Sequence, residues 1–251
     1  VYSLISTLRI DEAISIIKLQ SITHPENNIW PYLEDYSEFI KIFVREDIRE
    51  IPNFIKASTL RLEKVNLVPE TNPLSLMAQG QIHLHQCALQ LQQGEFISAA
   101  SEINKAFKLL RKNQKLFPDD VANLRLYASL KAAFGAVPDQ YRWLVSIVTS
   151  MHGTIEEGLK ELYFILRTST PDNNIFFEET VLFTAIAEGR LNNKPKQGLQ
   201  LIITNLGKIP ESKVVQYLMV TLLIEQGKND EAIRVLSEKT GVQSALHVPF
   251  L

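Results

Sequence analysis

Cysteine is almost missing from this sequence. Cys87 is the only one, so no internal disulfide can staple the fold. No apolar run approaches the roughly 18 residues that cross a bilayer as a helix. Positive charge is not in excess: 26 Lys and Arg face 28 Asp and Glu, for a net charge of −2. A phosphate backbone would find no basic field to hold it, so nucleic acid is not an expected partner. Strand signals are scarce, with no useful alternating run and no Asn-Gly hairpin. The glycine motifs that cradle nucleotides are absent, as are the nucleophile elbow, HExxH and paired CxxC. The sequence therefore offers no catalytic, cofactor-binding or metal-ligating set, and a non-enzymatic role is the expectation.

What is present is helical periodicity. Apolar residues make up 45% of the 251 residues, enough for a core only if many helical faces are buried against one another. Leu4, Ile5 and Leu8 open a short apolar face, and Asp11 is placed to cap a helix over Glu12–Gln20. Pro25 to Asn28 reads as a turn. Trp30, Leu33, Tyr36, Phe39, Ile40 and Phe43 then keep one stripe over Ile29–Arg45. A weaker pattern over 47–67 contains Pro52, which fits a first helical turn. After a loop at Val68–Pro73, helices are predicted over 74–93, 95–116 and 121–134, the last capped by Asp119 or Asp120. Further helices are predicted over 175–191, 195–206, 211–226 and 229–239.

The stretch from Gly135 to Leu166 reads as a helical hairpin in its own right. Pro138 opens its first helix, Trp143, Leu144, Ile147 and Val148 give that helix an apolar side, and His152-Gly153 stops it. Thr154 and Glu157 form a capping box for the second helix, which carries Leu159, Leu162, Tyr163 and Leu166.

The turns carry a repeat. Gly94 is followed after five residues by Ala99, Gly153 by Gly158, Asn193 by Gly198 and Gly227 by Ala232. Ala13 with Ile17 fits the same frame. A turn residue that tolerates positive φ reverses the chain, and a small residue further on lets the second helix approach the first. The last two small positions are 34 residues apart, and the earlier spacings are 40 and 59.

This small-residue frame, with prolines closing the second helices, resembles the tetratricopeptide repeat. The blocks Phe134–Leu144, Pro25–Leu33 and Asn104–Asp119 are similar to ones in uncharacterised tetratricopeptide proteins of Bacteroidetes-type bacteria. The first block is fainter kin to the eukaryotic tetratricopeptide family linked to clearance of inclusion bodies. The resemblance implies an all-α, right-handed α-α superhelix, a single solenoid over 1–251 with five to six hairpins. It implies no catalytic residues, and it tips localisation toward the periplasm or outer membrane rather than the cytoplasm. The first residue, Val1, and the apolar end His247–Leu251 suggest a processed piece of a longer parent.

His83 and Cys87 share a helix face while His85 points away, and without a fourth ligand they read as core or seam. Glu34, Asp35 and Glu38, Glu156 and Glu157, and Glu178 and Glu179 read as helix-start acids suited to the dipole. Lys105, Lys108, Arg111, Lys112 and Lys115 form a basic stretch, read as a solvated face or a meeting place for an acidic peptide or lipid head groups. Tyr141 and Arg142 remain after packing is accounted for. Tyr141, Arg142, Lys108 and Arg111 are thus the candidate partner-binding residues. The expected function is a scaffold that binds a protein or peptide on its concave surface. The alternative is glycan capture by an envelope lipoprotein.

Overall fold

The computed structural model describes residues 1–137, 152–209 and 212–237. Every regular element among them is helical. The twelve principal helices are α1 Tyr2–Ser6, α2 Ile10–Thr23, α3 Trp30–Arg45, α4 Ile51–Val65, α5 Pro73–Gln92 and α6 Phe96–Leu116. They continue with α7 Val121–Gly135, α8 Ile155–Thr168, α9 Phe177–Ile186, α10 Pro195–Asn205, α11 Lys213–Glu225 and α12 Asn229–Ser237. Neighbours in sequence pack as pairs. The described residues fall into two compact units, Val1–Tyr127 and Ala128–Val137 with the residues from His152 onward.

The pairs are closed by a recurring backbone device. Leu8, Gly94 and Gly227 have φ of +59°, +76° and +71°. At each, two N–H groups fold back onto the preceding helix: Leu8 to Ile5 O and Arg9 to Leu4 O, Gly94 to Leu91 O and Glu95 to Gln90 O, Gly227 to Ile224 O and Lys228 to Leu223 O. This is the Schellman closure, which satisfies carbonyls that a helix end leaves open. The carbonyls of Arg9, Glu95 and Lys228 then accept the first i→i−4 bond of the next helix, from the N–H groups of Ala13, Ala99 and Ala232. One residue thus ends a closure and starts a helix, which fixes a small residue five positions after the turn.

That small residue is where paired helices touch. Ala13, Ala99 and Ala232 are buried. A Cβ on Gly158 would lie 2.5 Å from Ala128 O and 2.7 Å from Ala132 Cβ. One on Gly198 would lie 2.7 Å from Ala185 O and 2.9 Å from Gly189 Cα. Pair α3–α4 departs from the rule. Its second helix follows a short 3-10 turn, Ile48–Glu50, and carries the buried Phe54 at the corresponding place.

Two expectations, on Gly153 and Asp11, are corrected. α8 packs on α7, since Gly158 meets Ala128 and Ala132 and the α7 end at Gly135 lies against Thr154 and Ile155. The first helix expected over 137–152 lies almost wholly outside the described residues. Gly153 does not share the role of Gly94. It is outside the left-handed region, and its missing side chain lets the Lys131 backbone approach, with Lys131 Cα 2.7 Å from where a Cβ would stand. Asp11 is not a cap: it sits inside the first turn of α2, behind Arg9, and its carboxylate takes Lys41 Nζ at 3.0 Å.

Elsewhere the local signals hold. Pro52 lies in the first turn of α4, Asp120 Oδ1 accepts from Ala122 N, and both bonds of the Thr154–Glu157 capping box are made. The helix predicted over 175–191 does form, but its end winds as a π-helix, Ala187–Leu191. There Lys194 N–H reaches back to Glu188 O, one residue further than in the Schellman closures, and Asn193 takes the positive φ of +54°.

Close approach at Gly158 leads to a prediction. Gly158→Ala pushes a methyl group into a backbone oxygen that cannot move aside, and should cost about 1–3 kcal/mol in urea unfolding. Gly207→Ala, where nothing lies within 4 Å, should leave stability within about 0.5 kcal/mol. Equal effects would contradict the pairing.

Candidate functional site

The densest chemistry surrounds α5, which is buried on most of its circumference and yet carries Ser75, Gln81, His83, His85, Gln86 and Gln90 among its buried residues. Such groups are tolerable inside only if paired, and the partners of Gln81, His83, His85 and Gln86 come from the helices around α5. Tyr32 Oη on α3 donates to Gln81 Oε1 at 2.9 Å, and Arg125 on α7 donates to the same oxygen at 3.2 Å. Gln86 donates to Ser58 Oγ on α4 at 3.0 Å. His85 Nδ1 lies 2.7 Å from Asp35 Oδ1 on α3, and its ring stacks on Phe39 at 4.3 Å and Tyr36 at 5.3 Å.

Asp35 is fully buried, and Arg61 of α4 stands beside it. Arg61 Nη2 lies 2.7 Å from Glu38, its Nε 3.4 Å from Glu34, and its Nη1 3.9 Å from Asp35. Burial alone would loosen the guanidinium's proton, but Glu38, Glu34 and Asp35 outweigh it and raise the Arg61 pKa. The acids Glu34, Asp35 and Glu38 are therefore not helix-start residues, as the sequence suggested. They sit past the first turn of α3 and hold together α3, α4 and α5. No spacing in the sequence announces this, because Arg61 reaches α3 only through the fold. The faint signal was a run of Gln and His on an otherwise apolar helix.

On the other side of α5, His83 Nδ1 lies 2.6 Å from Glu102 Oε2 on α6, and Lys105 Nζ donates to Glu102 Oε1 at 2.7 Å. Burial works to raise the Glu102 pKa, but these hydrogen bonds prevail and hold it below its ordinary value. Cys87 is buried close by, and burial, with a smaller push from Glu102, raises its thiol to about 12. A thiol held neutral is a poor nucleophile and a poor ligand. Among the described residues, no three His, Cys, Asp or Glu side chains converge in a way that could hold a metal.

In the second unit the polar centre is Glu188, on the π-helix. Tyr163 Oη of α8 donates to its Oε1 at 3.0 Å, and Asn192 Nδ2 to its Oε2 at 2.9 Å. Burial, reinforced by the Glu188 hydrogen bond and charge, raises the Tyr163 pKa to about 12. The arrangement fixes a proton on the phenol and ties α8 to the irregular end of α9.

Of the candidate partner-binding residues, Tyr141 and Arg142 lie outside the described residues. Lys108 is exposed and Arg111 partly exposed on α6. Both sit on the second helix of their pair. The surface they occupy is therefore not the one formed by first helices.

Two measurements test the buried pairs. Asp35→Leu strands His85, while Arg61 keeps Glu38 and Glu34, and should cost about 3–5 kcal/mol, a loss that urea denaturation would read directly; under about 1 kcal/mol would mean that the Asp35–His85 pair carries no stability. Glu102 has a lowered folded pKa, so its contribution is present above the unfolded value and disappears as pH falls through the lower folded one. Urea midpoints taken down from pH 6 should fall less steeply in Glu102→Gln than in the parent chain, and parallel slopes would refute the linkage.

No protein-family model, no curated protein and no solved structure matches the chain.

Proposed function

We propose that this chain is a non-enzymatic interaction module, a tetratricopeptide-like solenoid of right-handed α-α pairs that holds a peptide or partner protein. The observation that carries the reading is the order of contacts inside each unit. First helices touch first helices, α1 with α3 and α3 with α5 in one unit and α9 with α11 in the other, while the second helices α2, α4, α8 and α10 pack on the first helices that follow, α3, α5, α9 and α11. Stacking of this kind lines up successive first helices as one surface, the part of a solenoid that engages extended partners. The Schellman closures and the small residues behind them support the same reading, because they reproduce one pair geometry at several places.

The buried acids and histidines add to it. Asp35, Glu102 and Glu188 are the side chains an enzyme would recruit for proton transfer, and each is engaged in a bond between helices. On α11, a first helix, Tyr217 and Ile224 are half exposed, one helical face apart by seven residues. Accessible aromatic and aliphatic side chains on an ordered helix supply affinity without a folding cost.

Affinity capture from the source cells, followed by reconstitution with the purified partner on a sizing column, checks this. A stoichiometric complex is expected, weakened at least tenfold by the pair Tyr217→Ala and Ile224→Asp with the thermal midpoint little changed. Absence of any stoichiometric complex, or substrate turnover that Asp35→Asn or Glu188→Gln abolishes in the folded protein, would overturn the reading.

A further inference from the structure

We infer that the outward face of α6 is a second docking surface, and that its occupant is an acid-faced helix of a protein partner. The inference rests on the interaction-module reading but places contact on a different side of a helical pair. From Asn104 to Leu116 the chain has Lys105, Lys108, Arg111, Lys112 and Lys115 and no acid at all, within a protein whose net charge is −2. The helix turns its other side inward through Ala99, Glu102, Ala106, Phe107, Leu110 and Asn113, which leaves the cations outside.

Two of the five cations are already answered. Lys105 bonds to Glu102 and Lys112 to Glu70. Lys108, Arg111 and Lys115 engage no anion among the described residues. Their spacing of three and four residues puts them on one line, spread over roughly 10 Å of helix axis at about 1.5 Å per residue. A helix bearing carboxylates at the same spacing presents a matching line, and lying antiparallel it also opposes the two helix dipoles favourably. The guanidinium of Arg111 adds a bidentate site for one carboxylate.

A membrane fits this face less well. A helix that lies in the interface needs a band of large apolar side chains beside its cations. Here the line continues toward the N-terminus through Asn104 and Ser101, and the exposed apolar residues are confined to its ends, Phe96 and Ile97 at the start and Leu116 at the finish, with no apolar band beside the cations. Single exposed ion pairs contribute little each, so the contact should be weak, strongly dependent on salt, and specific through register rather than through area.

The test uses the whole chain and a labelled alanine-based helical peptide with Glu at three- and four-residue spacing, beside the same peptide with Gln. Fluorescence anisotropy at low salt should show binding of the Glu peptide alone, weakened at least tenfold by Lys108→Glu with Lys115→Glu and progressively by added salt. Lys56→Glu with Lys64→Glu, exposed cations of α4, should bind as the parent does. Circular dichroism melts confirm that each variant is folded, and the milder pair Lys108→Gln with Lys115→Gln should weaken binding to an intermediate degree. Equal binding of the Gln peptide, or an unchanged affinity in the α6 variants, overturns the proposal. So does preferential binding, through the same lysines, to vesicles of phosphatidylserine and phosphatidylcholine. A native partner that still binds the α6 variants but is lost with Tyr217→Ala and Ile224→Asp would remove this surface and leave the interaction-module reading intact.

Discussion

Backbone-to-backbone approach between paired helices is the constraint on which this structure depends. Where Gly158 meets Ala128 O, and Gly198 meets Ala185 O and Gly189, no side chain larger than hydrogen fits between the helices. Ala13, Ala99 and Ala232 hold equivalent places at the other small-residue pairs. At Leu8, Gly94 and Gly227 the turn sets the closeness: the positive-φ residue folds two N–H groups back and leaves the next helix to start at once. Packing density then does the rest, since helices this near bury apolar area over their whole length. Pair α3–α4, with Phe54 in place of a small residue and a looser connection, shows the alternative, and there Arg61 with its three acids joins α4 to α3 while Asp35 reaches His85 on α5.

Local signals in the sequence were legible wherever the chemistry was local. Capping by Thr154 and Glu157, the first-turn place of Pro52 and the positive φ of Gly94 and Gly227 each depend on a few adjacent residues. The role of Leu8 was hidden because leucine rarely takes positive φ, and only its bonds to Leu4 and Ile5 expose it as an equivalent of Gly94. The contact of α8 with α7 was hidden for a related reason. A connection of short length is the ordinary rule, so the nearest apolar stretch looked like the partner, whereas residues 136–153 separate two helices that are side by side. The chemistry around α5 was the least legible. Asp35 and His85 are fifty residues apart in sequence, and nothing in either neighbourhood points to the other.

The polar interior and the small-residue contacts divide the work. The contacts fix how near each helix lies to its partner, and the pairs Asp35–His85, His83–Glu102 and Tyr163–Glu188 fix rotation and register, because a buried charge is costly in any arrangement but the one that satisfies it. That division leaves much of the outward faces of the helices with little structural duty beyond surface ion pairs such as Lys112–Glu70. Cations on α6 and the half-exposed side chains on α11 belong to those faces, which is why recognition is proposed for them and not for the buried acids.

The central claim is that α7 and α8 form one of the repeating pairs despite the chain that separates them. Lys131 Nζ on α7 lies 2.6 Å from Glu161 Oε1 on α8, with both side chains partly buried. A double-mutant cycle with Lys131→Glu and Glu161→Lys tests the claim most directly. Each single reversal should destabilise the protein, and the double reversal should recover a coupling of about 0.5–1 kcal/mol. Strictly additive losses would mean that α8 packs against another helix, and the pair would be wrong.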